Sequence, residues 1–203
     1  MTVREVGAAY DARSQEYVDL LGSVDQLADA DRTLISRWRD STAGRLLDAG
    51  CGPAAWVEVL REGRRDVLGI DLSERFLQHG RRRHPTVPFL RASLAALPLG
   101  AGTVGGVLAW YSIIHTPPAQ LPPLLAELGR VLRPDGSLLL GFFDGAPRER
   151  FAHAVVPGYY WSVDALRPLL AEAGLDVVEH VGRHDPGHRP HAALVARRAQ
   201  PAG

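Results

Sequence analysis

The chain has 203 residues, 46% apolar and 23% charged, a composition that suits one globular domain with a real core and excludes a mostly disordered chain. Its 23 basic residues balance its 23 acidic ones, so there is no global field to gather nucleic acid or anionic lipid. A single cysteine, Cys51, excludes an intrachain disulfide and implies no oxidising compartment. The opening MTVREVGAAYDARS has neither a signal-peptide pattern nor an anchor, so a cytoplasmic protein without membrane or nucleic-acid partners is expected.

Residues 1–40 are expected to form a helical arm or lid, 45–198 the core of a single domain, and 199–203 a tail. RLLDA (45–49) is a short apolar strand bounded by glycine. Pro53 to Gly63 places Trp56, Val59 and Leu60 at helical spacing, with Pro53 as the first helical residue and Gly63 at the stop. DVLGID (66–71) is a second buried strand, and Ser73 caps the helix after it. That helix ends in RRRH (81–84), whose basic cluster reads as a solvated face. VPFLRA (87–92) and VGGVLAWYSII (104–114) are the third and fourth strands. The stretch from Ala92 to Ala126 lacks any Asp, Glu, Lys or Arg, but its glycines and prolines break it well short of a span of about 20 residues. Leu121, Leu124, Leu125, Leu128 and Leu132 form an apolar stripe, and the RPDG turn leads into a fifth strand, SLLLGFF.

The last part of the chain differs. Ser162 caps a helix running to Gly174, in which Pro168 should produce a kink or a delayed start. LDVVEHV (175–181) and HAALVA (191–196) are strands separated by about nine residues, too few for a parallel crossover of a dozen or more, so they should pair antiparallel. Strands alternating with helices mean a parallel sheet covered on both faces, here ending in a reversed hairpin.

Ligands of such sheets sit beyond the carboxyl ends of the strands, usually at the loop after the first one. Gly50 and Gly52 occupy that loop, and Asp71 follows about 20 residues on, where a carboxylate accepts both hydroxyls of a ribose. Glycine loop and ribose acid imply an adenosine-containing cofactor. GCGPAA also fits the relaxed dinucleotide fingerprint, which leaves a nicotinamide-dependent oxidoreductase open on these marks alone. Asp48 before the loop, the reversed hairpin, and the lack of a linker to a second domain turn the balance away from it.

LLDAGCG, VLGIDLS, GVLAWYSIIH, ELGRVLRPDGSLLLGFF and EAGLDVV resemble, in order and spacing, the successive motifs of class I S-adenosylmethionine-dependent methyltransferases. The resemblance runs over roughly residues 8 to 198. It implies a single-domain, Rossmann-like α/β doubly wound sheet of seven strands in the order 3-2-1-4-5-7-6, with strand 7 antiparallel. It also implies that Asp48, Gly50, Cys51 and Gly52 hold the methionine part of S-adenosylmethionine, Asp71 the ribose, Leu72 the adenine, and Ala92, Ser93 and Leu94 the adenine edge. Trp110 would begin the wall near the sulfonium, and Tyr10 of the arm would join the cofactor set. Ala54 departs from the family's third loop glycine, which an early helical position would tolerate; Ser93 and Gly105 stand where many members carry an acid. A fold-retaining protein with other chemistry is the alternative.

Methyl transfer to an activated donor's partner is largely a matter of positioning, and a neutral hydroxyl acceptor benefits from a base. His115, just past strand four, is the candidate base or else an anchor of the HTPP loop, and Tyr111 faces the sulfonium or packs. Tyr17, Tyr160 and Trp161 are expected around the acceptor, where aromatic, mostly uncharged walls suit a small, largely apolar O- or N-acceptor. His184, His188 and His191 match no standard zinc spacing, so no metal is expected, and Cys51 is a loop residue rather than a nucleophile. A monomer or homodimer is expected.

Overall fold

The computed structural model describes residues 3–199, and the expected tail beyond Ala199 lies outside the described residues. Three helices lead the chain: α1 (Val3–Ala12), α2 (Ser14–Leu21) and, after a short 3-10 turn at Val24–Gln26, α3 (Asp29–Ser41). The core then alternates β1 (Leu46–Ala49), α4 (Ala55–Leu60), β2 (Val67–Asp71), α5 (Glu74–Arg83), β3 (Phe89–Arg91), β4 (Val104–Trp110), α6 (Leu121–Val131) and β5 (Leu132–Phe143). A small hairpin, β6 (Arg150–Phe151) with β7 (Gly158–Tyr159), precedes α7 (Val163–Glu172), β8 (Leu175–Arg183) and β9 (His191–Arg198).

Seven strands form one sheet in the order β3-β2-β1-β4-β5-β9-β8. β1, β2, β3, β4 and β5 run parallel, while β9 is antiparallel to both β5 and β8. This is the expected order 3-2-1-4-5-7-6 with its reversed strand. Period-two alternation sends successive side chains to opposite faces, and both faces are buried. Leu47, Val107, Leu138 and Leu140 pack with Leu121, Leu125 and Leu128 of α6 and Leu166 and Leu170 of α7. Leu46, Leu108 and Leu139 pack on the other side with Ile35 and Trp38 of α3, Val57 of α4 and Leu77 of α5. The Trp38 indole N–H is satisfied inside this layer by Ser137 Oγ at 2.8 Å.

Three local expectations change. Ala54 has φ 67°, ψ 26°, the left-handed region that costs a residue with a Cβ about 1–2 kcal/mol. The helix therefore starts at Ala55, neither Pro53 nor Ala54 lies in its first turn, and it ends at Leu60. β4 stops at Trp110 rather than running to Ile114, because Tyr111 has φ 55° and turns the backbone out of the sheet. Helix α7 begins directly after Ser162, whose hydroxyl accepts from Ala165 N at 3.2 Å, and it continues past Pro168 without a delayed start. The β6–β7 hairpin, too short to leave a periodic signal, was not anticipated from the sequence.

Candidate active site

The loop after β1 is pinned to the sheet by two donors on one acceptor, since Gly50 N and Cys51 N both reach Ile70 O, at 2.8 and 2.9 Å. Gly50 (φ 78°) and Gly52 (φ 51°) are left-handed. A Cβ on Gly50 would stand 2.4 Å from Ser112 Cβ, whereas one on Gly52 would meet nothing within 4 Å. The space above Gly52 belongs to a cavity of about 580 Å³ over the carboxyl edge of the sheet, within the range of pockets that hold drug-sized ligands.

Asp71, at the tip of β2, accepts from Gly52 N at 2.9 Å with one oxygen and from Ser73 N at 2.8 Å with the other. Each oxygen keeps a lone pair, and the carboxylate lines the cavity. Burial raises its pKa, while the N–H groups of Ser73, Gly52 and Leu72 pull it down. Asp48 lies beneath the loop, almost fully buried, with Oδ2 unpartnered; burial, then the nearby Asp71 charge, push its pKa up to about 8. Ser112 Oγ is a second buried polar atom without a partner. Burial also drives the Cys51 thiol well above its ordinary value, which makes it a poor nucleophile.

The arm closes over this half. Asp11 Oδ1 accepts from Ser73 Oγ at 2.5 Å, Gly7 lies against Leu72, and Arg13 donates to Ala154 O. Tyr10 Oη sits 2.7 Å from His115 Nε2, and His115 Nδ1 is 3.1 Å from Pro157 O. A carbonyl only accepts, so Nδ1 carries the proton and Nε2 receives the Tyr10 hydroxyl. Burial lowers the His115 pKa, and His153, stacked edge-on at 4.8 Å, is pushed down to about 4 by burial and by His115. With both nitrogens engaged, the His115 ring ties the HTPP loop and the arm together.

The other half of the cavity lies toward β5 and β9. Trp56, Trp110, Tyr111 and Phe143 form a continuous aromatic wall, with ring centroids 5.9, 5.4 and 5.1 Å apart in that order. Asp31 of α3 and His191 of β9 also line it. Tyr111 Oη lies 2.5 Å from His191 Nδ1, and Arg183 bridges His191 Nε2 (2.6 Å) to Asp31 Oδ1 (2.7 Å).

Of the residues singled out from the sequence, Tyr10, Tyr17, Gly50, Cys51, Gly52, Asp71, Leu72, Ala92, Ser93, Leu94, Trp110, Tyr111 and His115 all line this one cavity. Asp48 supports it from below. Tyr160 and Trp161 do not line it. The Tyr160 ring packs on Phe151 at 4.6 Å and its hydroxyl accepts from Arg189 Nε; Trp161 is fully buried in the layer of α6 and α7. The segment after β7 pairs with the end of β5, Trp161 N donating to Phe143 O at 3.1 Å, and carries both side chains away from the cavity. Asp31, Trp56, Phe143, His153 and His191 line the cavity without having been singled out for it. Phe143 and His191 had a usable signal: an antiparallel strand begins where its parallel neighbour ends, and the two residues are register partners. Asp31, on a polar helix far away in sequence, had none. Among the described residues no group of three or more His, Cys, Asp or Glu is placed to hold a metal, and no helix is long and apolar enough to cross a membrane.

A seven-stranded, Rossmann-like sheet with one reversed strand, a glycine loop after β1 and an acid at the tip of β2 places the molecule among the nucleoside-binding doubly wound folds. Residues 46–136 match the family described as a methyltransferase domain. The chain is 31% identical over 147 residues to the malonyl-(acyl-carrier protein) O-methyltransferase of Erwinia pyrifoliae, a match covering 72% of this chain and 53% of that one. It thus spans about half the length of that relative. Among solved structures, the 1,6-didemethyltoxoflavin-N1-methyltransferase of Burkholderia thailandensis superimposes with a TM-score of 0.77 at 21% identity, over 98% of this chain and 92% of that one. The 4+2-cyclase SpnF superimposes with a TM-score of 0.79 at 18% identity, over 98% and 96%. The chain is thus similar to S-adenosylmethionine-dependent methyltransferases in the sequence of its core and in its fold.

Proposed function

We propose that this chain transfers a methyl group from S-adenosylmethionine to a small, largely apolar, uncharged molecule. The observation that carries this is the single cavity joining the Gly52–Asp71 edge to the Trp56–Phe143 wall, which gives a nucleoside and a second, flatter molecule one shared space. The residues fit the cofactor: the space above Gly52 is open, Asp71 keeps lone pairs for two ribose hydroxyls, and Asp48 Oδ2 and Ser112 Oγ are buried without partners. Bound there, the cofactor supplies an activated, cationic methyl donor. Trp110 and Tyr111 offer aromatic faces to that cation, and the closed arm excludes water. His115 acts as the anchor of arm and loop, with its imidazole neutral.

The malonyl group in the relative's name ends in a carboxylate. Here the cavity is lined by two carboxylates, Asp31 and Asp71, and by no arginine among the described residues, so an anionic acceptor would be repelled and a neutral one is favoured. One neighbour with this fold is named as a cyclase, so methyl transfer rests on the cavity and the family match and not on the fold by itself.

Thermal shift with S-adenosylmethionine, S-adenosylhomocysteine and NAD in parallel tests the proposal. Stabilisation by the first two alone is expected, since a ligand bound only by the native state raises its melting point. Stabilisation by NAD alone would replace methyl transfer with hydride transfer, and no response to any of the three would leave the fold without this cofactor.

A further inference from the structure

Four polar side chains, Asp31 of α3, Tyr111 just past β4, Arg183 of β8 and His191 of β9, are linked in series on the side of the cavity toward β9, and β9 lies four strand positions from β2, which carries Asp71, about 19 Å at roughly 4.8 Å per strand. Their proton positions follow from one fixed point. Arginine keeps its protons, so Arg183 Nε–H donates to His191 Nε2 at 2.6 Å and that nitrogen is the bare one. The single proton of a neutral imidazole then sits on Nδ1 and is donated to Tyr111 Oη, 2.5 Å away. Tyr111 receives a proton in this series instead of giving one. Its own hydroxyl proton is left without a partner in this series, and Tyr111 lines the cavity.

Two further observations describe what would meet that proton. The charges around it are the carboxylates of Asp31 and Asp185 against the single guanidinium of Arg183, and burial together with Arg183 keeps His191 neutral. A negatively charged group is therefore disfavoured and a neutral acceptor is favoured. The rings beside it are those of Trp110 and Phe143, 5.4 and 5.1 Å from the Tyr111 ring, spacings at which flat rings stack or meet edge-on, and all three residues line the cavity. The backbone holds Tyr111 in the left-handed region, a strained conformation for an aromatic residue that is kept only where surrounding structure enforces it.

We propose that the molecule bound at this end is a flat, uncharged ring system bearing a carbonyl oxygen or ring nitrogen, and that Tyr111 donates a hydrogen bond to that atom. His191 and Arg183 are positioning residues that keep the Tyr111 proton turned toward the ligand. The ligand's role as methyl acceptor rests on the function proposed above; its binding does not.

Three probes of one shape separate the possibilities: 2-acetylnaphthalene, its isostere 2-isopropenylnaphthalene, which lacks the acceptor oxygen, and naphthalene-2-carboxylate. Equilibrium dialysis of each against the full chain, with and without saturating S-adenosylhomocysteine, gives the dissociation constants. The acetyl compound should bind about 5- to 10-fold more tightly than the isopropenyl one, the worth of one neutral hydrogen bond, and the carboxylate should bind most weakly. Tyr111→Phe should bring the acetyl-to-isopropenyl ratio close to one. Arg183→Met should do the same, because a His191 freed from the Nε–H takes the other tautomer and draws the Tyr111 proton to itself. A loss of packing alone would weaken both neutral probes equally and leave the ratio intact. A ratio that survives Tyr111→Phe, a carboxylate that binds tightest, or no binding by any probe would overturn the proposal. Failure of S-adenosylhomocysteine to bind the wild-type chain would count against methyl transfer instead, and the probe ratio is read without it.

Discussion

The two halves of the cavity are built by different means. The half at β1 and β2 is made largely of backbone: glycines at left-handed φ, amides converging on Ile70 O, and a carboxylate that accepts two main-chain N–H groups. The half at β5 and β9 is made of side chains brought from α3, α4, β4, β5, β8 and β9, held by ring contacts and a series of hydrogen bonds. Backbone construction serves a ligand that never varies, because a carbonyl or amide cannot be exchanged by substitution. Side-chain construction permits the ligand to change while the sheet stays the same, which is how one fold comes to hold many chemistries.

The sharpest way to break this comparison is Gly52→Val. Its Cβ would enter the open space above the loop, so calorimetry with S-adenosylhomocysteine should show affinity lost by about 100-fold or more. Because φ is 51°, the fold should lose about 1–2 kcal/mol as well, visible as a lower but still cooperative melt. Wild-type affinity in this variant would move the cofactor away from the loop.

Asp48 provides the next largest effect. Its carboxyl, with an ordinary pKa of 3.8, is pushed up to about 8 in the fold. The native state thus holds a proton that the unfolded chain releases, and cofactor-free stability should fall as pH rises from about 4 to about 8. Asp48→Asn removes that slope. Denaturant melts at pH 5 and pH 8 should show the wild type losing on the order of a few kcal/mol relative to the variant, and parallel curves would mean that Asp48 is ionised in the fold without penalty.

Asp71→Ala should cost about 1.5 to 3 kcal/mol of S-adenosylhomocysteine affinity, the range for hydrogen bonds to a charged group. The melting point should also drop, because Gly52 N and Ser73 N lose their acceptor. Unchanged affinity by calorimetry would mean that this carboxylate serves the loop and not the ligand.

The smallest effect belongs to the boundary between the halves. His115→Gln should lower stability by about 1 kcal/mol, the worth of a lost hydrogen bond, and Tyr10→Phe should do about the same. Because they share one bond, the double variant should cost less than the sum. Full additivity in thermal melts would uncouple arm and loop, and an unshifted melting point with sharply reduced turnover would restore His115 as a base.

The cofactor half could be read from the sequence because its signals are local. Gly50, Gly52 and Asp71 sit at fixed distances from strands whose apolar runs are unambiguous, and the reversed hairpin followed from loop length alone. Ala54 is illegible for the same local reason, since a residue with a Cβ gives no sign that its backbone is left-handed. The half at β5 and β9 was largely hidden. Tyr160 and Trp161 are aromatic residues in an irregular segment, and the chain path after β7 directs one to Phe151 and the other into the core. Asp31 reaches the cavity only through tertiary packing of α3, and its partner Arg183 lies 152 residues away.

The arm contacts also set a clock. Ring contacts among Tyr10, Tyr17 and Phe76 and a few polar bonds, among them Asp11 to Ser73 and Tyr10 to His115, hold α1 and α2 over the β2 edge, whereas α3 is packed into the core. Segments fastened this way open locally at far lower free energy than the whole fold, and were α1 and α2 to cover the cavity fully, nothing bound beneath them could leave until they lifted. Departure of spent cofactor and methylated product would then share a single gate, and turnover would be limited by how often the arm lifts and not by how fast the methyl moves. In that regime a more reactive acceptor would not be processed faster, whereas raising solvent viscosity, or cutting the Tyr10 hydroxyl from its imidazole, would change the rate directly.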